Sequence, residues 1–340
     1  MLLIVAHHYV VNSDLISIMY ESPFAAKSIF LFLFGAWGKT GINCFVLITG
    51  YFMCKSQITP RKFFKLLLEI YFYKIIIYLI FTLTGYQSFG LKTFVKAIMP
   101  FSEVAQNFTG CYILFYLCIP FLNILVKNLD EKQHILLLGL LFVIYVLFGT
   151  IRRVTMNYVS WFCCLYFIGS YLRLYPKKIF GNTKLWGLLT LAFFVISCVS
   201  VVVCLWLGTK FDRSLAYAFV SDSNTFLAVA LGVSSFLFFK NLKIKQSKII
   251  NTVASSTFGV LLLHANSDAM RSWLWGTLLN NAGMYSSNLI YIHAIGSVLG
   301  VFIVTSVIDI IRAKTIEKPV LDLVEKGWNK LMAKFKPKEN

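Results

Sequence analysis

Long apolar runs separated by short polar stretches recur along the whole chain. A helix needs roughly 20 apolar residues to cross a bilayer, and most of these runs approach that length. The pattern predicts membrane spans over residues 38–54, 64–84, 110–127, 134–150, 158–174, 185–208, 222–240, 253–275 and 287–311. The run at 1–11 predicts a tenth span that is truncated at its N-terminus, so either the chain begins inside the membrane or the sequence lacks its true start. Segment 24–36 is apolar but short, which favours an interfacial or re-entrant piece.

Composition agrees with the hydropathy pattern. Of 340 residues, 58% are hydrophobic and only 14% are charged, whereas soluble domains carry about 25% charged residues. The fold class predicted is therefore an all-α, polytopic transmembrane helix bundle of about ten spans. We find no repeat of fixed period. One transmembrane domain is expected over 1–311, followed by a cytoplasmic tail over 312–340.

Basic residues explain the net charge of +18 without a nucleic-acid partner, because they cluster in every second connection between spans. These cations are Lys55, Arg61, Lys62, Lys65, Lys127, Lys132, Arg173, Lys177, Lys178, Lys184, Lys240, Lys243, Lys245, Lys248, Arg312, Lys314 and Lys318. Cytoplasmic loops are enriched in Lys and Arg. The alternation therefore predicts a multi-pass protein of the plasma membrane with both termini in the cytoplasm.

The tail has a helical pattern of its own. Its apolar positions are Val320, Leu321, Val324, Trp328, Leu331, Met332 and Phe335, and Lys326, Lys330, Lys334 and Lys336 lie between them. A basic amphipathic helix binds anionic lipid at a membrane surface. We therefore expect the tail to anchor to membrane lipid.

Histidines inside apolar runs are the first candidates for chemistry. His7 and His8 lie in the first run, and His264 lies about midway along the predicted ninth span. Ionisable residues at membrane depth are functional candidates by default. The alternatives are an interfacial position for the pair and a merely hydrogen-bonded bundle residue for His264. If both spans run outward, the two segments reach one cavity at similar depth, where neutral imidazole can act as a general base toward a sugar hydroxyl.

Other polar features have plainer alternatives. The stretch 38–51 contains Asn43 and Thr49 at membrane depth, but its glycines also allow close helix packing. Arg152 and Arg153 end a predicted span, where snorkelling to lipid headgroups is the ordinary interpretation. The acids nearest the spans are scattered along the sequence: Glu69, Asp222, Asp268 and Asp309. The cysteines lack metal-ligand spacing with histidine, and no metal site is expected.

Taken in order, these segments resemble the integral-membrane acyltransferase family 3, whose bacterial members O-acetylate cell-surface glycans. The segments that carry the resemblance are Ile4-Val5-Ala6-His7-His8; Gly41, Phe45, Thr49, Gly50 and Tyr51; Tyr112, Tyr116, Pro120, Leu122 and Asn123; and Phe258, Gly259, Leu262, Leu263 and His264. The similarity runs from residue 1 to about 311. Thr49 stands where serine is usual and Leu262 where tyrosine is common. An arginine found upstream of the first-helix histidine in the family is not in this sequence.

The resemblance implies a reaction and its participants. The donor would be cytoplasmic acetyl-CoA, and the acceptor a glycan or lipid-linked glycan. His8, with His7 as the other choice, would be the base and His264 its partner. Substrate-binding residues would be Asn43, Thr49, Tyr51, Tyr112, Arg152 and Arg153. The basic inner loops, through Arg61, Lys62, Lys243 and Lys245, would bind the CoA phosphates.

Two other classes remain open at this point. A transporter or flippase would use the histidines as proton relays, but it would be expected to show repeated halves and acids inside the spans. A membrane polysaccharide polymerase would usually need a large outer loop, which the sequence lacks.

Overall fold

A computed structural model describes residues 1–99, 107–151, 157–220 and 222–334, which form helices and turns without a β-strand. The α-helices in this part of the chain are α1 Leu2–Val11, α2 Leu15–Glu21, α3 Ala26–Gly35, α4 Gly38–Met53, α5 Pro60–Leu83, α6 Leu91–Ile98, α7 Phe108–Asn128, α8 Glu131–Leu141, α9 Phe148–Ile151, α10 Tyr158–Leu174, α11 Thr183–Lys210, α12 Phe226–Asn241, α13 Lys248–Ser255, α14 Thr257–His264, α15 Asp268–Arg271, α16 Asn281–Met284, α17 Ile290–Arg312 and α18 Lys318–Lys334. π-Helical turns cover Phe142–Leu147, Ser272–Leu278 and Ala313–Glu317, and a 3₁₀ turn covers Lys178–Gly181.

Several of these helices are long and apolar enough to cross a membrane. Within the described residues, six stretches qualify: Ala26–Met53, Pro60–Leu83, Phe108–Asn128, Glu131–Ile151, Thr183–Lys210 and Ile290–Gly327. A seventh is possible if α1 and α2, which meet at a bend of 66°, form one broken span. The all-helical membrane bundle is confirmed. The predicted count of ten spans is not.

The segment 24–36 differs from its prediction. Helix α3 joins α4 in one 28-residue candidate span from Ala26 to Met53, whereas the sequence predicts a separate interfacial or re-entrant piece at 24–36. The reason is packing: Leu31 and Phe32 are fully buried, and a Cβ built on Gly35 would lie 2.8 Å from Val10 Cγ2. The sequence shows a short apolar run, but α1 covers one side of it.

The predicted span 253–275 is also corrected, because the chain breaks after His264. It contains the end of α13, then α14, α15 and part of a π-helical turn. Asn266 Nδ2 donates to the Leu262 carbonyl at 3.0 Å, and Ser267 Oγ accepts from the Met270 amide at 3.2 Å. Side chains thus satisfy the backbone groups that a break leaves open. Predicted spans 158–174 and 222–240 correspond to the short helices α10, with 17 residues, and α12, with 16.

Helix α4 lies at the centre of the bundle, where glycines let its neighbours approach. A Cβ on Gly50 would lie 2.9 Å from the Tyr166 Cα in α10, and one on Gly169 would lie 2.7 Å from the Leu47 carbonyl oxygen. Such contacts admit only glycine. The close-packing interpretation of the glycines in 38–51 therefore holds at Gly50.

The buried side chains form two hydrophobic cores, and α14 belongs to both. The first core is built mainly on α5, α7 and α10, with Val46 and Leu47 of α4, and it includes Leu262 and Leu263. The second is built mainly on α1, α3 and α17 and includes Val260. The C-terminal residue of α14, His264, therefore lies where the two cores meet.

One end of the bundle carries most of the basic connections, and we call it the basic end. There α4 finishes beside the start of α5 and the C-terminal parts of α7, α10, α12 and α17. Asn123 Nδ2, for example, donates to the Met53 carbonyl at 3.2 Å, and Lys65 Nζ lies 3.0 Å from Glu317 Oε1.

The tail is helical, as predicted, and continues from α17 through the π-helical turn into α18. Arg61 at the start of α5 forms ion pairs with Asp322 and Glu325 of α18. Leu321 is buried. The side chains of Trp328, Leu331 and Met332, and residues Phe335 and Lys336, lie outside the described residues, so the lipid-anchoring role of the tail stays a prediction.

Candidate active site

His8 and His264 meet inside the bundle, although 256 residues separate them. His8 Nδ1 lies 2.9 Å from His264 Nε2, and the ring centroids are 5.0 Å apart. His264 is fully buried, whereas His8 retains partial exposure. A single hydrogen bond therefore joins the two imidazole rings, and part of the His8 side chain stays accessible.

The hydrogen bonds fix the direction of this pair. His264 Nδ1 lies 2.5 Å from the Val260 carbonyl oxygen, and because a carbonyl only accepts, Nδ1 carries the hydrogen. In neutral imidazole the other nitrogen is then an acceptor, so His264 Nε2 accepts from His8 Nδ1. His8 Nε2 is left with a lone pair and is the basic atom of the pair.

His7 faces a different part of the bundle. Its Nδ1 donates to the Gly35 carbonyl at 2.6 Å, and its ring packs so closely on α4 that a Cβ on Gly38 would lie 2.5 Å from His7 Cγ. Adjacent helical residues point about 100° apart, which separates the two rings. His8 therefore contacts His264, whereas His7 bonds α3 and packs on α4.

An aromatic wall stands beside the two histidines. The Trp275 ring lies 6.2 Å from His264 and 6.0 Å from Tyr9, centre to centre. Trp275 is fully buried, and its Nε1 has no hydrogen-bond partner in the described structure. It belongs to the π-helical turn 272–278, a type of element frequent at functional sites. The wall therefore contains an indole N–H donor without an acceptor among the described residues.

Two residues of this region, Trp275 and His293, are absent from the predicted site. A 2.7 Å hydrogen bond joins Tyr9 Oη to His293 Nδ1 in α17. His293 is an ionisable residue in a predicted span, and that signal would have found it. Nothing in the sequence marked Trp275, because the local π-helical geometry brings it to the site.

A cavity of about 610 Å³ lies between α17 and the segment 263–279, and neither His8 nor His264 is among its lining residues. Leu263, Trp273 and Leu274 line one side, and His293 and Ser297 lie on α17. Its volume falls in the range of small-molecule sites, roughly 300–1,000 Å³. The wall is mostly apolar, so the cavity suits a hydrocarbon or weakly polar group.

Two predicted substrate-binding residues meet next to α14. Thr49 Oγ1 and Tyr112 Oη lie 3.2 Å apart, and the Tyr112 ring lies 5.6 Å from that of Phe258. Tyr112 is buried. Three of the resembling segments thus converge on the helix that ends in His264.

The remaining predicted substrate residues lie elsewhere. Asn43 is fully buried; its Nδ2 donates to the Ser223 and Ala228 carbonyls, and its Oδ1 accepts from Trp161 Nε1. It therefore joins α4 to α10 and α12. Tyr51 lies at the basic end against Arg173. Arg152 and Arg153 lie outside the described residues.

The four predicted CoA-binding cations lie at or near the basic end without forming a single cluster. Arg61 is paired with the acids of α18, and Lys62 Nζ donates to Ser56 Oγ and the Gln57 carbonyl, each at 2.9 Å. Lys243 and Lys245 are exposed on the segment after α12. The positive charge of Arg61 is thus already balanced within the protein.

Two of the four acids that are scattered in the sequence, Glu69 and Asp309, converge on Arg312 together with Glu317. Arg312 Nε donates to Asp309 Oδ1 at 2.8 Å, Nη1 donates to Glu317 Oε2 at 2.8 Å, and Nη2 lies 3.6 Å from Glu69 Oε1. Tyr73 Oη donates to Asp309 at 2.8 Å. All four charged residues of this Arg312 cluster are buried. Helix spacing alone does not reveal that α5 and α17 pack together here.

Comparison with known proteins gives the chain its family. A family model described as an acyltransferase domain matches residues 1–309. No curated protein and no solved structure matches the chain. The matched range contains the histidine pair, its aromatic wall, the cavity along α17, and Glu69 and Asp309 of the Arg312 cluster. The chain therefore belongs to the acyltransferase family 3 that its ordered segments resemble.

Proposed function

We propose that the protein moves an acetyl group from cytoplasmic acetyl-CoA to a hydroxyl of a cell-surface or lipid-linked glycan. Family membership supports acyl transfer in a membrane. The resemblance supports acetyl-CoA and a glycan. The positive-inside pattern supports a plasma-membrane protein whose basic end and termini face the cytoplasm.

The observation that carries the proposal is the hydrogen-bonded chain from Val260 through His264 to His8. It leaves His8 Nε2 as a lone-pair acceptor oriented by a buried partner. A positioned general base contributes roughly 10²–10⁴-fold to rate. An oriented, accessible imidazole is what removal of a proton from a sugar hydroxyl requires.

The proposed step balances without a further reactant. His8 Nε2 removes the hydroxyl proton while the acceptor oxygen attacks the thioester carbonyl carbon. The carbon–sulfur bond breaks, and the proton held by His8 passes to the departing thiolate. The products are an O-acetyl ester and CoA. In a second route the acetyl group rests transiently on His8 Nε2 before the acceptor takes it.

His264 and its neighbours serve this step in distinct ways. Protonated His8 still donates through Nδ1 to His264 Nε2, so the pair keeps its geometry while His8 holds the proton. Thr49 and Tyr112 would line the path of the acyl group beside α14. Asn43 would position α4. Arg152 and Arg153 would meet the acceptor, and Arg61, Lys62, Lys243 and Lys245 would attract the donor phosphates. No step calls for a metal.

The apolar cavity favours an acceptor with a hydrocarbon part. It opens along α17, which forms most of a candidate membrane span. Leu263, which lines it, directly precedes His264. A lipid-linked glycan would place its hydrocarbon in this cavity, whose lining includes Leu263 and His293.

The transporter alternative gains one observation from the structure, since the Arg312 cluster puts three acids inside the bundle. A proton-coupled transporter would acidify or alkalinise the lumen of proteoliposomes when solute is added. Acetyl transfer without such proton movement would decide against it.

The direct test measures transfer of labelled acetyl from acetyl-CoA to membrane glycan, normalised to inserted protein. His8→Ala should lower the rate about 10²–10⁴-fold. His134→Ala is the control, because His134 is a buried histidine away from the pair and its Nε2 bonds the Phe167 carbonyl at 3.0 Å. Normal specific activity in His8→Ala would exclude the proposed base.

A further inference from the structure

Three helices end around Tyr51 at the basic end. Arg173, in the last turn of α10, donates from Nη1 to Tyr51 Oη at 3.1 Å, and its guanidinium carbon lies 4.9 Å from the centre of the Tyr51 ring. Lys240, in the last turn of α12, places Nζ 5.8 Å from the same ring centre. One tyrosine thus holds two cations near each other.

Neither cation has a carboxylate partner in the described structure, and this sets them apart from their neighbours. Arg61 pairs with α18, Lys65 with Glu317, and Lys177 with Glu131. Asp322, Glu325, Glu317 and Glu131 are thus already paired with other cations. Two like charges on one ring repel each other unless an anion lies between them.

Arg173 also has unused hydrogen-bonding capacity. Its Nε is buried and has no hydrogen-bond partner among the described residues. Tyr51 Oη accepts from Arg173, and its own hydrogen has no acceptor among the described contacts. Arginine's planar fork and a tyrosine hydroxyl are well suited to bind phosphate oxygens.

We propose that Arg173, Lys240 and Tyr51 form an anion site that binds a phosphate group of the acyl-CoA donor. This inference rests on the proposed function for the identity of the ligand and names residues that bind its nucleotide end. A lipid headgroup offers the same phosphate chemistry. The experiment must therefore separate the two sources.

The position of the site agrees with a donor that reaches from the basic end toward His8. Thr49 is two residues from Tyr51 and contacts Tyr112, whose ring packs on Phe258 of α14. From Tyr51 to Gly38, which packs against His7, α4 rises about 20 Å at 1.5 Å per residue. An extended pantetheine arm has a comparable length. Phosphates held at Tyr51 would thus leave the thioester near the histidine pair.

The test compares two donors on the full-length protein in proteoliposomes: acetyl-CoA, and S-acetylpantetheine, which lacks all phosphates. Arg173→Gln and Lys240→Gln should each raise the KM for acetyl-CoA about tenfold or more, the effect of losing one charge-assisted contact. The KM for S-acetylpantetheine and kcat at saturation should not change.

Lys210→Gln is the matched control, because Lys210 Nζ lies 5.5 Å from the Trp206 ring centre, away from the Tyr51 site. It should change neither KM. An equal effect of Arg173→Gln or Lys240→Gln on both donors, or none on either, would overturn the site and point to packing or a lipid headgroup. Lys240 is exposed, so its variant remains informative if Arg173→Gln fails to fold.

Titration with CoA separates this inference from the proposed function. Weaker CoA binding by Lys240→Gln than by wild type supports the anion site, even if the wild type transfers no acetyl group to glycan. Unchanged CoA affinity in both the Arg173 and the Lys240 variants overturns the site while leaving the histidine chemistry standing. Failure of the wild type to bind CoA overturns it as well.

Discussion

The histidine pair and the Arg312 cluster both bury ionisable groups inside the bundle, yet they use their bonding capacity differently. In the pair, a neutral chain runs from Val260 through His264 and ends in a free nitrogen on His8. In the cluster, Arg312 is surrounded by Asp309, Glu317 and Glu69. The histidine pair leaves His8 Nε2 without a hydrogen-bond partner in the described structure, whereas the charge of Arg312 is balanced by neighbouring acids.

This difference suggests a role in the reaction for the histidine pair and a role in stabilising the fold for the Arg312 cluster. Removing a partner from a buried ion pair destabilises a protein strongly, because it strands uncompensated charge. Removing a neutral base changes the reaction more than the fold. The same kind of substitution should therefore give opposite readouts in the two regions.

The largest effect expected is on turnover, in His264→Ala. The substitution removes the acceptor that orients His8 Nδ1, so the base loses its fixed tautomer, and we expect kcat to fall about 10²-fold. The measurement is labelled acetyl transfer per inserted protein, together with the thermal transition in detergent. A large drop in the transition temperature with normal specific activity would show that His264 stabilises the fold, as the Arg312 cluster does, and does not serve the reaction.

The next effect is on stability, in Arg312→Met. Losing one partner of a buried ionic group costs about 3–5 kcal/mol, so the thermal transition and the inserted fraction should both fall. Adding Glu69→Gln and Asp309→Asn to the same protein should recover much of the loss, because two of the three stranded charges disappear and Glu317 keeps its pairing with Lys65. A triple variant no more stable than Arg312→Met would show that the cluster acts through something other than charge balance.

A smaller effect is expected for His7→Ala. His7 bonds the Gly35 carbonyl and packs on Gly38, so its loss removes one hydrogen bond, worth about 0.5–1.5 kcal/mol, from the α1 interface. Specific activity should stay within about tenfold of wild type. An effect on kcat equal to that of His8→Ala would mean that both rings serve the reaction and would weaken the distinction between them.

The orientation of the bundle in the membrane determines which compartment the basic end faces. The positive-inside pattern predicts that cysteines engineered at Ser88 and Ser286 react with an impermeant thiol reagent from outside, whereas one at Ser247 does not. Labelling efficiency on intact cells checks this. Reaction of the Ser247 variant from outside would reverse the bundle and place the donor phosphates on the wrong side.

Hydropathy predicted the class of fold well because burial in lipid imposes long apolar helices. It misplaced breaks and joins, since these depend on neighbours. The break after His264 rests on side-chain bonds from Asn266 and Ser267, and the α3–α4 span depends on cover from α1. The hydropathy of a single segment therefore predicts neither the break after His264 nor the joining of α3 to α4.

The candidate site was predictable to the extent that it consists of ionisable residues in apolar segments. His8 and His264 stand out in the sequence for that reason. Trp275 does not, because a π-helical turn brings its ring to the site. The convergence of Glu69 and Asp309 on Arg312 was also hidden, since it follows from the pairing of α5 with α17.

The atom that orients His264 is a backbone carbonyl, and this has an evolutionary consequence. Any residue at position 260 supplies that carbonyl as long as α14 keeps its helical turn. The backbone of α14, and not a second side chain, therefore determines which nitrogen of each histidine carries the hydrogen. Mutational drift at position 260 can change the packing around the site without reversing which nitrogen of His8 is basic.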